Sequence, residues 1–484
     1  MKTTSATAAF AAALALIAPD VFAQAPTSTV ANPDTILTTI TRGSITITTP
    51  NPLTIPHPIL GNDTDTENDP LTILNVGTPL FGKTSKSGNT VIYTPNHKFK
   101  GTDSFTYEIC DRANGLGNKS SSTVTIRNPF LLGRGTYASS LSGMGGSHDV
   151  SGYFNAKVSP SGEFTSFFRF AGKGYRLRGR FDLSGNYTGE IARGKLPPIQ
   201  LSLLYAVSGN TRQISGTVTF AAETIQFVAP IVNWTRTTPA PAARKYTAVL
   251  PAPNTVSSTP QGHGFSAIAI GRTGTIAFYG RTGDNRGFSS STFLGQNGTA
   301  IPVYGIINSV GSIYGTLNLA GIAPRAPITQ ITASGNLRWF SSKNVNRTHF
   351  PNGFDLTIPA RASAYIEPLD GSAVLDIGTA IGHNSNFTAS AGDLRTARAE
   401  RSTIRKRPAA GAYEFTFDNV RRFAAQLVVI SRTGVFSGSF YDTTSKRKRF
   451  FKGVFIQSEN KAFGIWKSET KTGKIDLVPD STGT

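Results

Sequence analysis

Four carboxylates stand on alternate positions of one short stretch: Asp63, Asp65, Glu67 and Asp69. Like charges at this spacing repel unless something neutralises them. Calcium takes roughly six to eight oxygen ligands, and such a loop can supply several. The same residues suit a turn in which Asp and Asn side chains bond to their own backbone. Cations gather toward the other end of the chain. Arg395, Arg398, Arg401, Arg405, Lys406 and Arg407 form one cluster, and Lys446, Arg447, Lys448, Arg449 and Lys452, beside Phe450 and Phe451, form a second. Such clusters imply an anion-binding surface with aromatic stacking, or else the solvated tip of a charged hairpin between Phe440 and Phe450.

Groups suited to catalysis are scattered. His57, His97, His148, His263, His349 and His383 show no helical metal-binding spacing. Gly262-His263-Gly264-Phe265 is the most conspicuous single setting, although a His beside Gly at a strand start reads first as a turn residue. No Gly-x-Ser-x-Gly elbow joins a strand to a helix, and no glycine loop for phosphate leads into a helix. Asp182, Glu190, Asp284 and Glu367 could cleave glycosides only as a facing pair, and nothing in the sequence pairs them. The expectation is a protein that is not an enzyme. The rival reading is a secreted carbohydrate-active enzyme with an accessory module.

The elements that must position these residues are read from composition and pattern. The chain has 484 residues with 49 Gly and 28 Pro, yet only 16% are charged. That excludes a long helical bundle or coiled coil. A hydrophobic share of 38%, with 31 Phe and 14 Tyr, excludes a wholly disordered chain. Several glycine-punctuated β units are expected. Residues 1–23 read as a secretory signal peptide: Lys2, an apolar run from Ala8 to Pro19, and a cleavage site after Ala23. A Thr/Pro/Ala-rich stretch, 24–40, reads as a flexible leader. No other stretch is long and apolar enough for a transmembrane helix. The single cysteine, Cys110, excludes an internal disulfide, and its alternating surroundings suggest a packed residue.

Charge divides the chain. Residues 24–128 balance their acids and bases, so the net +20 resides in 129–484. Texture changes at the same place, from Thr, Asn and Asp to Gly, Arg, Phe and Tyr. A domain boundary is expected near Asn128-Pro129.

Residues 41–128 alternate as short strands, Ser44–Thr48, Leu71–Val76, Asn89–Thr94, Ser104–Ile109 and Ser122–Ile126, with turn clusters between them. Two motifs are more specific. Ile59-Leu60-Gly61-Asn62-Asp63-Thr64-Asp65-Thr66-Glu67-Asn68-Asp69-Pro70 comes first. Tyr93-Thr94-Pro95-Asn96 and Phe99-Lys100-Gly101-Thr102-Asp103-Ser104-Phe105-Thr106-Tyr107 follow. Together they resemble bacterial cadherin-like, immunoglobulin-like repeats of secreted and cell-surface proteins. The resemblance covers residues 41–127. It implies a β-sandwich used as a spacer or adhesion module, with calcium near the loop of Asp63, Asp65, Glu67 and Asp69. Glu67 stands where the family usually has Asp, Asn68 where it usually has Gly, and the module occurs once rather than in tandem.

The basic region repeats a strand, glycine turn, strand pattern at Ala156–Phe164, Ile268–Ile276 and Val428–Phe436. Each implies a hairpin with its turn glycine, Gly162, Gly274 or Gly434, at positive φ. Near copies occur around Gly185 and Gly209. Trp234, Trp339 and Trp466 are read as strand residues. The expected units are 129–238 and 245–343, as two copies of one meander, and 350–478 as a divergent third. The one short helix candidate is Leu394–Arg401. The fold class is therefore all-β: an immunoglobulin-like sandwich followed by antiparallel meander units, as barrels or sandwiches, with loose repeats. This texture resembles Gly-rich β regions of secreted bacterial proteins, which have no dependable activity.

The function expected is non-catalytic adhesion or matrix binding outside a bacterial cell, or at its surface. The basic region would bind anionic polysaccharide or cell envelope; no specific nucleic acid is expected. An outer-membrane β-barrel is the remaining alternative.

Overall fold

The computed structural model describes residues 34–37, 59–65, 69–96, 98–99, 101–111, 119–142 and 146–480, apart from 183, 221–222, 254–257, 308–310, 324–326, 328–329, 369–373, 376–384, 395–396, 407–412 and 418–424. Residues 34–37, 62, 142, 400, 403–406 and 413–417 are described by their backbone alone. The signal and the expected strand at 44–48 lie outside these residues. The chain divides into two compact units, 1–128 and 129–484.

The first unit contains β1 (Asp34–Leu37), β2 (Thr72–Val76), β3 (Gly82–Ser87), β4 (Thr90–Pro95), β5 (Thr102–Cys110) and β6 (Lys119–Arg127). One sheet runs β1-β6-β5-β2, and β3 and β4 form a hairpin. β5 shows why a sheet forms. Asp103, Phe105, Tyr107 and Ile109 are buried, and Thr102, Ser104 and Thr106 are exposed, so one face is apolar. Two features differ from the sequence reading. β1 lies within the stretch read as a flexible leader and pairs parallel with β6, from Asp34↔Val124 to Leu37↔Arg127. β3 has no apolar alternation; only its register on β4 makes it a strand.

The second unit opens with a short helix, α1 (Pro129–Leu132), and two four-stranded sheets. β7 (Gly135–Ser142), β8 (Ser151–Val158), β9 (Glu163–Phe170) and β10 (Lys173–Arg180) make the first. β11 (Asn186–Arg193), β12 (Leu196–Ser208), β13 (Thr211–Phe220) and β14 (Glu223–Pro230) make the second. An aromatic-rich core including Phe130, Phe154, Phe164, Phe181 and Tyr205 lies between them.

A closed barrel follows: β15 (Lys245–Leu250), β16 (Gly264–Ile270), β17 (Thr275–Arg281), β18 (Gly287–Phe293), β19 (Ala300–Ile307), β20 (Gly311–Ala320), β21 (Thr332–Ser341) and β22 (Phe354–Ala364). Pairing of Tyr246 with Ala364 and of Val249 with Arg361 closes it. Ile276, Phe278, Ile313, Leu317, Leu337 and Trp339 help fill the interior, so it is a packed core. The barrel thus reaches past the expected break at 344–350 and takes in β22. The preceding unit is two open sheets, not a copy of it. A strand's sequence carries its alternation but not its edge partner, so closure is invisible until β15 meets β22.

The last sheet contains β23 (Ser385–Ala391), β24 (Arg398–Lys406), β25 (Tyr413–Phe417), β26 (Gln426–Ile430), β27 (Val435–Asp442), β28 (Arg447–Ile456), β29 (Lys461–Lys467) and β30 (Thr472–Pro479), in the order β25-β24-β23-β30-β29-β28-β27-β26. Phe436, Phe440, Phe451, Phe455 and Trp466 lie in its core. The helix candidate Leu394–Arg401 is overturned: β24 begins at Arg398 and pairs with β23, Ala389↔Arg398 through Ser385↔Ser402. Inter-strand pairing overrides the local helical preference. Trp234 lies outside any strand, whereas Trp339 and Trp466 lie within β21 and β29. The turn glycines take positive φ: Gly162 at 80°, Gly274 at 75° and Gly434 at 67°.

Candidate functional site

In the described part of the acidic loop, Asp63 and Asp65 accept hydrogen bonds from within the module. Asp63 is buried, and the Tyr107 hydroxyl donates to its Oδ1 and Oδ2 at 3.0 and 3.1 Å. The Asp69 N–H donates to Asp65 Oδ1 at 2.9 Å, an Asx-type local bond. Glu67 lies outside the described residues. Among the described residues, no three His, Cys, Asp or Glu side chains group as metal ligands. The second motif has a structural role. Buried Asp103 accepts from Leu80 N (3.2 Å), Phe81 N (2.9 Å), Ser104 N (2.9 Å) and the Tyr93 hydroxyl (2.8 Å), tying the β3–β4 hairpin to β5. Burial first, then Asp103, pushes the Tyr93 hydroxyl well above its ordinary range. Cys110 is buried and free.

The described catalytic candidates each have a hydrogen-bond partner of their own. His263 Nδ1 accepts from Ala252 N at 3.0 Å, which leaves Nε2 to donate to Asp476 at 3.1 Å. Both ring nitrogens are engaged, and this His–Asp pair ties the barrel to β30. His148 Nδ1 meets Ser312 at 2.7 Å, and its ring stacks on Phe340 at 4.0 Å. His349 meets the Ser468 carbonyl at 3.1 Å. Burial lowers the pKa of His148 and of His349. His57, His97 and His383 lie outside the described residues.

Among the acids, Asp182 orders its turn through Asn186 N, and Glu190 takes a bond from Gln200. Glu367 accepts from Ser431, and Asp284 is held by Thr282 and Arg286. Burial raises the Asp284 pKa against those partners. The four acids are each engaged by a different group.

Arg398 of the first basic cluster reaches the β27–β28 turn beside the second, and among the described residues three arginines of the two clusters sit against carboxylates. Arg398 donates to Thr444 in the β27–β28 turn at 2.8 Å. Arg401 pairs with Asp480 at 3.1 Å, and Arg447 pairs with Glu469. Arg449, read as a surface cation, is buried between Asp393 (3.4 Å) and Asp442 (3.6 Å). Burial opposes ionisation of Asp442, yet bonds from Ser445 and Thr444 N, with Arg449, hold its carboxyl below the usual value. Phe451, read as a stacking platform, is in the core. Arg395 and Arg407 lie outside the described residues, and Arg405 and Lys406 are described by backbone only.

One face of the last sheet carries exposed cations beside an aromatic ring. Lys448, Phe450 and Lys452 alternate outward along β28, and Phe450 is 68% exposed. Lys448 Nζ sits 5.7 Å from the Phe450 ring centre, a cation–π distance. Across β27 the partners of Lys448, Phe450 and Lys452 are Tyr441, Ser439 and Ser437. Ser437 in turn faces Val428 of β26, which is 63% exposed. Serines in the middle strand leave a depression of about 290 Å³ between the larger residues of β26 and β28. Lys448 and Lys452 form no ion pair among the described residues. Strand parity separates Arg449 and Phe451 from Lys448, Phe450 and Lys452; the run of five cations hid it. Val428 and Tyr441 were missed because they belong to other strands.

Residues 23–127 match the bacterial Ig domain family. That segment is a bacterial Ig-like module. No curated protein matches the chain. Among solved structures, one similar chain is a double mutant of the vaccine antigen transferrin-binding protein B from Haemophilus parasuis Hp5. It is 8% identical, with 79% of this chain and 83% of that chain covered and a TM-score of 0.20. At that score the likeness carries no argument. No helix among the described residues is long and apolar enough to cross a membrane.

Proposed function

We propose that this is a non-catalytic protein of the bacterial surface or matrix, whose last sheet binds anionic glycan. The observation that carries the reading is the outward row Lys448, Phe450, Lys452 on a rigid strand. Two ammonium groups flank an exposed ring, so carboxylate or phosphate groups meet the charges while a sugar face lies against the ring. A bacterial Ig domain is compatible with a cell-surface or extracellular location. The signal at 1–23 would deliver the chain there. The barrel exterior supports a water-facing wall rather than a lipid-facing one, with Thr275, Ser289, Asn318, Asp355 and Thr357 exposed on it.

The test is co-sedimentation of residues 24–484 with washed bacterial envelope across a salt series, beside the Lys448→Gln/Phe450→Ala/Lys452→Gln variant. Binding that falls steeply with salt and is lost in the variant supports the reading. Binding indifferent to salt removes the mechanism. Release of reducing ends from a polysaccharide would favour the enzyme reading, and a requirement for detergent would favour a membrane barrel.

A further inference from the structure

A second concavity lies on the closed barrel, and its floor is set by small residues. On β17, Ala277, Tyr279 and Arg281 face outward; across on β18 stand Ser291, Ser289 and Gly287. Tyr279 is 47% exposed above this floor. β18 and β19 share one registered pair, Ser289↔Ile306. Phe167 and Arg169 of β9 wall one end of the crevice, and Ile430 of β26 and Lys452 of β28 wall the other. Its two compartments, about 540 and 440 Å³, are both lined by Ser289 and Ile306.

Among the described residues, three cations and no Asp or Glu line the crevice. Arg281 donates to the Asn285 carbonyl (2.7 Å) and side-chain oxygen (3.1 Å), both neutral. Arg169 is 2% exposed. It donates to Ser290 Oγ, to the Ser291 carbonyl and to the Tyr304 carbonyl (3.2 Å). Its Nε has no hydrogen-bond partner. Burial lowers the Arg169 pKa. Elsewhere in the unit, arginines such as Arg286, Arg338 and Arg361 sit against carboxylates. A buried cation without a counter-charge is costly, and an anion beside it offsets that cost. Lys452 lines both this crevice and the depression beside Phe450.

We propose that the crevice is a second subsite for the same acidic glycan, entered past Lys452. One acidic sugar is held by Arg281 and Lys452 over the Tyr279 ring, and the next approaches the field of Arg169. This rests on the glycan reading of the preceding subsection and adds to it the place where a short chain is selected.

The probes are tetragalacturonate and polygalacturonate at low salt, measured by calorimetry on residues 24–484, with neutral dextran as control. Arg281→Gln and Tyr279→Ala are expected to weaken the tetramer about tenfold and Tyr279→Phe to preserve it, at unchanged melting temperature. Lys448→Gln/Phe450→Ala is expected to weaken the polymer about tenfold and leave the tetramer within about twofold. Crevice variants that bind the tetramer like the parent, beside a weakened face variant, would overturn the crevice and leave the face. Weakened crevice variants beside an unaffected face variant would support the crevice and overturn the face. A parent chain that binds neither probe overturns both.

Discussion

The Ig-like module and the basic unit handle charge in opposite ways. In the module, Asp63, Asp65 and Asp103 accept hydrogen bonds from the module's own donors. Asp63 is held by Tyr107, Asp103 by four donors, and Asp65 by Asp69 N. In the basic unit, carboxylates neutralise many arginines, while Lys448, Lys452, Arg281 and Arg169 line concavities without one. Charge left without a partner beside an exposed ring points to a ligand.

The largest expected effects test which charges are structural. Arg449→Ala should cost about 3–5 kcal/mol by stranding Asp442 and Asp393. Lys448→Gln, one residue away, should leave stability within about 0.5 kcal/mol; chemical denaturation of both variants checks this contrast. Asp103→Ala should destabilise the module by about 3 kcal/mol, since buried N–H groups lose their acceptor. If Asp103→Ala melts like the parent, the inward reading of the module's acids fails. Next in size, Phe450→Ala should weaken binding of the polymeric glycan about fivefold without shifting the melting curve. The comparison breaks if binding follows Asp65 or Asp69 instead.

A smaller effect comes from pH. The folded state holds His148 and His349 below their ordinary value of 6.5. The unfolded chain then binds protons first as pH falls below about 6.5, and stability is lost over that window. The melting temperature should fall by a few degrees between about pH 7.5 and 5.5. His148→Asn should reduce that dependence. The smallest effect is Asp69→Asn, expected within about 0.5 kcal/mol. A calcium-induced rise in melting temperature that this variant abolishes would assign a cation to the loop.

Much of the fold was legible because short-range rules govern it. β5 alternates by two, so its buried and exposed faces could be read directly. Gly162, Gly274 and Gly434 marked hairpins because positive φ is cheap for glycine. β3 was not legible, since Gly82–Ser87 has no apolar face, and the start of β24, Arg398 to Arg401, read as helix until its neighbours were known. The candidate site was legible only in part. The basic run at 446–452 was visible, but its sorting into outward Lys448 and Lys452 and inward Arg449 needed the strand's parity and phase.

The sequence by itself determined the strand class, the Ig-like segment, the break at residue 128 and the location of the net positive charge. These follow from periodicity, turn chemistry and composition, which act over a few residues. Tertiary structure alone decided that β15 meets β22, that Asp393 and Asp442 neutralise Arg449, and that Arg169, Arg281 and Lys452 share one crevice. Those pairings join residues tens to hundreds of positions apart, and a one-dimensional pattern holds no term for which distant strand lies next to which.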